Sequence, residues 1–564
     1  MAEPKTTEGL VSRYAPGLAV LRNYRREWLA GDLLAGVSVC IVMIPAVIAY
    51  AELIGVAPQH GLYAALVPMI LYAMFGSSRQ VIVGPDIAIS LLIASTIAPL
   101  AGGDPRHAAT LAATVALLSG GLLLLGAAAR FGAVADFLSK PVLVGYMTGA
   151  ALILVVSQLN KFFGIPLANR DFFPCLAELS SKIDQAHKPT LVLGLGILAS
   201  LFISRRFFPK VPAALVACVI ALGLSLALHL EHHGVAVVGT FKTGLPTPVM
   251  PRVSWEELKT LVPAAVGVAL LTYTEGILLA RAFAAKNGYE VNATQELIAL
   301  GLADVGAGLF QAFSITGSQA RTTVNDDARG KSQLAGLIAA LSLALFIVFL
   351  TPLIARLPQV ALAALLIYAG FSLIEFNVML RIYRYYPGSA FVAALTTLSV
   401  LAAGVVLGIL FGVALSLLGL INRISNPPDG VLTEVPGRGF HDLGDTNATE
   451  TIPGLLAYRF YAPLLFSNAG HFVERIRRLV QIKRPRWFLL DAQAITDIDV
   501  TALETLRDLH RELGRQGVEL KIAHANRPLR RLLDRTGLSD EIGQQSFFPS
   551  VHECVGAFEA SKKP

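Results

Sequence analysis

The sequence predicts an α-helical membrane protein with a small α/β domain at its C-terminal end. Three observations predict it. Hydrophobic residues make up 54% of the 564 residues and charged ones only 15%, with a mean hydropathy of +0.61, whereas a soluble domain carries about 25% charged residues. The charges are also unevenly spread. Residues 451–564 hold 17 Lys and Arg and 13 Asp and Glu, which is 30 of 85 charges, and the first 450 residues share the other 55. Finally, apolar runs follow one another up to residue 424, and beyond Gly454 short strand-like runs alternate with helical ones. The layout expected is an N-terminal cytoplasmic segment over 1–31, a transmembrane domain over 32–424, a linker over 425–450 and an α/β domain over 451–564.

The N-terminal stretch carries Arg13, Arg22, Arg25 and Arg26, and Arg25-Arg26-Glu27 interrupts its first apolar run. That is not a signal-peptide layout. Lys and Arg between apolar segments fit cytoplasmic loops and put both termini in the cytoplasm. The net charge of +7 belongs to those loops and does not point to nucleic acid. Cys40, Cys175, Cys218 and Cys554 show neither metal-ligand spacing nor a disulfide framework. No cofactor is implied, and no nucleophile–base pattern suggests an enzyme.

The apolar segments lie near 32–52, 59–76, 84–99, 107–128, 136–158, 189–205 and 211–229. After a polar, proline-rich stretch from Thr243 to Glu257 come 260–285, 292–310, 317–327, 332–355, 358–374, 389–404 and 405–424. That is seven plus seven. The third of each set is too short to span as a full helix. Small residues crowd these segments, and Leu193-Gly-Leu-Gly196 reads as close helix packing rather than a dinucleotide loop. Residues 376–388 read as an amphipathic interfacial linker. In the C-terminal domain, Gly454–Tyr461, Trp487–Asp491 and Val518–Ala523 read as strands, and Val500–Leu513 and Arg527–Arg535 as helices. The sequons at Asn292 and Asn447 are taken as chance.

The two short segments carry the chemistry. Gln80–Val83 reads as a strand leading into Gly84-Pro85-Asp86, and Ala312–Thr316 as one leading into Gly317-Ser318-Gln319-Ala320-Arg321. A strand that opens into a half-helix at membrane depth exposes N–H groups that lipid cannot satisfy, so such breaks survive only where they line a cavity. Two helix N-termini aimed at one cavity make an anion site.

Further residues identify a resemblance. Ile44-Pro-Ala-Val-Ile-Ala-Tyr-Ala51, Gly55-Val-Ala-Pro-Gln-His-Gly-Leu-Tyr-Ala64, Gly76-Ser-Ser-Arg-Gln80, Val83-Gly-Pro85 and Lys140-Pro-Val-Leu-Val-Gly-Tyr-Met-Thr-Gly149 resemble the motifs of the sulfate permease (SulP) family. The C-terminal domain is similar to a STAS domain. The resemblance covers nearly the whole chain. It implies a seven-plus-seven inverted repeat divided into core and gate domains, elevator-type movement, a homodimer and a bacterial inner-membrane location.

The resemblance also implies an anion site between the third and tenth helix ends, flanked by the first and eighth helices. The residues carried over are Tyr50, Asp86, Ile87, Ala88, Ser318, Gln319, Ala320 and Arg321, with Glu275 and Asp86 as proton or cation carriers. Arg321 is a cation at membrane depth, a functional candidate by default, with an ion pair to Asp326 or Asp327 as the structural alternative. Glu275 repels an anion unless neutralised, which suits a proton carrier; a fixed partner of Arg321 or a sodium ligand with Thr272 and Thr274 are the other readings. Asp86 is either a helix cap or a second titratable acid at the site. Ala46 stands where the family often has a substrate-binding Gln, and Val500 where regulatory STAS relatives carry a phosphorylated serine. Thr501 reads as an N-cap. The expectation is a proton-coupled importer of sulfate or another small oxyanion. Sodium-coupled bicarbonate or dicarboxylate transport, and an uncoupled exchanger or channel, stand as alternatives.

Overall fold

The structure, a computed structural model, describes residues 15–129, 140–169, 171–208, 213–239, 244–435, 439–442 and 452–562. Arg13, Thr243, residues 136–139 and the Asn447 sequon lie outside them. The chain divides into two compact units, Met1–Ala414 and Leu415–Pro564.

The first unit is helical. In chain order its main elements are α1 (Leu29–Ile54), α2 (Pro58–Phe75), β1 (Val83–Gly84), α3 (Ile87–Ala101), α4 (Pro105–Ala128), α5 (Lys140–Ser157), α6 (Lys188–Phe207) and α7 (Ala213–Leu228). Then follow α8 (Trp255–Asn287), α9 (Ala293–Leu309), β2 (Thr316–Gly317), α10 (Gln319–Asp327), α11 (Leu334–Phe349), α12 (Gln359–Leu373), α13 (Pro387–Ala403) and α14 (Val405–Ser425), the last crossing the unit boundary. Local chemistry sets the ends. Pro58 and Pro105 open α2 and α4, where a missing N–H costs nothing. Ser254 and Glu257 form a capping box at α8. Gly55, Gly102 and Gly288 close α1, α3 and α8 in the left-handed conformation. Among the described residues, six helices are long and apolar enough to cross a bilayer by length and composition. Phe376–Tyr385 forms the separate amphipathic helix expected before α13.

The helices pack in two sets. In one, α4 lies along α9, α1 along α11, α2 against α9 and α11, α8 against α4, α3 against α1 and α8, and α10 against α1. In the other, α5 packs on α12 and α13, and α6 on α7 and α12. Adding seven to each helix number, or subtracting it, exchanges several of these contacts: α4–α9 becomes α11–α2, α1–α11 becomes α8–α4, and α3–α8 becomes α10–α1. Small residues permit the closest approach. A Cβ at Gly120 of α4 would stand 2.6 Å from the Gly301 carbonyl oxygen of α9. At Gly194 it would stand 2.8 Å from a Val360 methyl of α12, so that glycine serves helix packing.

The second unit holds a six-stranded sheet in the order β4-β3-β5-β6-β7-β8. Strands β5 (Leu455–Phe460), β6 (Trp487–Asp491), β7 (Glu519–Ala523) and β8 (Phe547–Phe548) are parallel. The helices Ala469–Lys483, Val500–Arg515, Arg527–Arg535 and Val551–Ala560 accompany them. Two expectations need correction. Residues 429–442 are not linker: β3 (Asp429–Val435) pairs antiparallel with β5 and with β4 (Gly439–Asp442). Pro, Gly, Asp and Asn dominate the composition of 425–450 and hide two short strands. The helix at Val500 is capped by Asp499, whose carboxylate accepts from Ala502 N–H at 2.9 Å, and Thr501 lies inside it.

Candidate functional site

The two chain breaks meet. β1 and β2 pair antiparallel, with Val83 opposite Gly317 and Gly84 opposite Thr316. Their short ladder places the starts of α3 and α10 side by side. The expected strands begin earlier than observed, because the backbone of 80–82 and of Ile315 is held largely by side-chain bonds instead. Asn325 Nδ2 donates to Gln80 O at 2.7 Å, Ile82 N–H to Thr322 Oγ1 at 3.1 Å, and Gln333 Nε2 to Val81 O at 2.9 Å. Asp304 in α9 accepts from Ile315 N–H at 2.8 Å and from Ser119 Oγ at 2.7 Å. These bonds satisfy the broken backbone inside the protein, as a low-dielectric setting requires.

Arg321 is buried, with 3% of its surface exposed. Its Nη2 donates to Pro85 O at 2.8 Å, so the cation of α10 reaches the entry of α3. Gly84 leaves room for it: a Cβ there would stand 3.3 Å from Nη2. Arg321 Nε has no partner among the described residues. The structural alternative for Arg321 does not hold for Asp326, which pairs with Lys286 Nζ at 2.6 Å and accepts from Asn287 Nδ2 at 2.9 Å.

Asp86 caps α3, its carboxylate accepting from Ala88 N–H at 3.4 Å. The α3 end therefore already holds an anion of its own. Ile87 and Ala88 contribute backbone only, since their side chains are buried in the apolar core. At α10 the Ser318 N–H is taken by Ile82 O at 3.0 Å, and its hydroxyl makes no cap. That leaves Gln319, Ala320 and Arg321 to present the first amides of α10, the side chains of the first two being exposed. Tyr50 of α1 lies within electrostatic reach of Asp86 and Arg321. Glu275 of α8 lies within reach of Asp86, and its Oε1 is buried without a partner among the described residues. Thr272 Oγ1 donates to Ile315 O at 3.0 Å, whereas the Thr274 hydroxyl is buried with no partner among the described residues.

Two contributors escaped the sequence. Tyr146 of α5 donates to Ala88 O at 3.2 Å and faces both Glu275 and Asp86. Ser90 of α3 is buried, its hydroxyl without a partner among the described residues. An aromatic or serine in an apolar segment carries no signal of its own; only the Lys140–Gly149 motif drew attention to that stretch.

A helical membrane bundle whose two broken helices converge on a buried guanidinium belongs to the class of anion transporters, not enzymes. The particular family follows from comparison. The sulfate permease family profile matches residues 29–396 and the STAS domain profile matches residues 447–554; the chain belongs to the sulfate permease family. A probable sulfate transporter of Mycobacterium tuberculosis is 41% identical over 548 residues, covering 97% of this chain and 98% of the relative. The chloroplastic sulfate transporter 4.1 of Arabidopsis thaliana is 30% identical, covering 95% and 81%. Among solved structures, the murine solute carrier 26 family member A9 anion transporter shares the fold with a TM-score of 0.90 at 22% identity, covering 99% of this chain and 96% of that one.

Proposed function

We propose that this protein is a secondary active transporter that moves sulfate, or a similar small oxyanion, inward with protons across a bacterial inner membrane. The observation that carries the reading is the Arg321 guanidinium, buried between the two helix entries with Nε unpartnered among the described residues, with Asp86 in its electrostatic reach and Glu275 in turn in reach of Asp86. The names of the mycobacterial and plant relatives support sulfate as the anion.

The mechanism follows from charge. Arg321 and the free amides of Gln319–Arg321 attract the anion, with Tyr50 beside them. Two ionised carboxylates against one guanidinium would leave the site net negative. A divalent anion deepens that deficit unless protons enter with it. Glu275, with a bare oxygen on the flanking helix, is the carrier, and Asp86 is the second acid. The two helix sets and their seven-helix exchange support a repeat whose core set slides against the gate set. Both termini are placed in the cytoplasm, the transport domain runs to residue 424, and the unit is a homodimer.

Uptake of radiolabelled sulfate into proteoliposomes with an imposed pH gradient tests this. Uptake that ignores the gradient, and survives Glu275→Gln unchanged, refutes proton coupling. A sodium-coupled reading rests on Thr274 and Glu275, adjacent on α8 and both with a bare buried oxygen. Sodium-dependent uptake lost in Thr274→Val favours it.

A further inference from the structure

The ion pair between Glu52 and Lys161 lies apart from the helix entries. Glu52 is in the last turn of α1, and Lys161 in the short helix Leu159–Phe163 that follows α5. Lys161 Nζ stands 2.7 Å from Glu52 Oε1, with the two side chains 22% and 18% exposed. α1 packs in the set that carries the anion site, whereas the Leu159–Phe163 helix packs on α6 and α12 in the other. The pair therefore ties one set to the other.

The boundary is open beside this tie. A cavity of about 340 Å³ is lined by Glu52, Ser157, Gln158, Asn160 and Lys161, among others. A second, of about 800 Å³, shares Leu53, Ala98 and Ser157 with it and runs along α3 to Leu91, in the helix that begins at Ile87. The cavities thus lead from the ion pair toward the anion site. Glu52 Oε2 and Gln158 Oε1 are buried and have no hydrogen-bond partner among the described residues. A carboxylate with one oxygen on an ammonium and the other bare is only half satisfied, and a pair in that state is easily exchanged.

We propose that Glu52 and Lys161 form a gate on the substrate path, in which Lys161 passes from Glu52 to the entering anion. A carboxylate and an inorganic oxyanion make the same charge-assisted bond to an ammonium, so each can replace the other there. Closed, the pair bridges the two helix sets. Opened by the anion, it removes the polar tie from a boundary that α1 otherwise makes by packing on α7 and α12. The proposal rests on the transport reading above.

The test is initial uptake of labelled sulfate in proteoliposomes, separated into KM and maximal rate. Glu52→Gln leaves Lys161 free and lowers KM. Lys161→Gln leaves a bare carboxylate on the path and raises KM. Each shift is roughly two- to fivefold, the scale for a partly exposed charge pair. Lys161→Arg keeps the charge and stays within about twofold of wild type on the same scale. A pair that only stabilises the fold moves both Gln variants in one direction; that result, or no shift in either, overturns the gate. Wild-type protein that takes up no anion refutes the transport reading instead.

Discussion

Replacing Arg321 with alanine tests the site most directly. The guanidinium is buried, donates to Pro85 O and keeps Nε bare at the meeting point of α3 and α10. A charged hydrogen bond contributes about 1.5–3 kcal/mol. The Coulomb attraction at roughly 4 Å and an effective dielectric of about 20 is about 4 kcal/mol, an upper bound before desolvation is subtracted. Taking the lower range, Arg321→Ala should weaken sulfate binding by roughly 10- to 150-fold. Arg321→Lys keeps the charge but loses the planar fork, and should fall in between. The assay is equilibrium binding of labelled sulfate to purified protein, with thermal unfolding measured in parallel. An unchanged Kd in a folded Arg321→Ala variant would refute the reasoning and move the anion elsewhere.

Other outcomes follow from individual contacts. Asp86→Asn keeps a good cap on α3 and removes a competing charge, so sulfate should bind more tightly at neutral pH; Asp86→Ala should also lower thermal stability, since a lost cap costs about 1 kcal/mol. Gly120→Ala drives a methyl against the Gly301 carbonyl of α9 and should destabilise the protein by about 1–3 kcal/mol, read as a lower unfolding midpoint. Burial pushes the Cys554 thiol up to about 12. The reactive thiolate is therefore scarce below that pH, and the Cys554 peptide should resist iodoacetamide at pH 8 and label only after unfolding, as mass spectrometry would show.

The sequence was most legible where one physical requirement dominates. Apolar length marked the helices, and the breaks at Gly84 and Gly317 could persist only inside a cavity. The caps at Ser254, Pro58 and Pro105 are equally local, although the apolar runs alone start those helices a few residues late. Strands β3 and β4 were not legible, because β3 is fixed by pairing with β5, some twenty residues on in sequence, and β4 only by pairing with β3. The same holds for Thr272, whose hydroxyl partner lies 43 residues away.

What the sequence determined alone is the class of molecule: composition sets membrane against water, and Arg321, Asp86 and Glu275 are charges that lipid does not tolerate without a purpose. Tertiary structure decided their roles. It set Arg321 on Pro85 rather than on Asp326, gave the Ala88 amide to Asp86 and the Ser318 amide to Ile82, and brought Tyr146 to the entry of α3. Apart from the local Asp86 cap, each is a contact between segments far apart in the chain. Hydrogen bonding and burial assign such partners only once the two half-helices face each other.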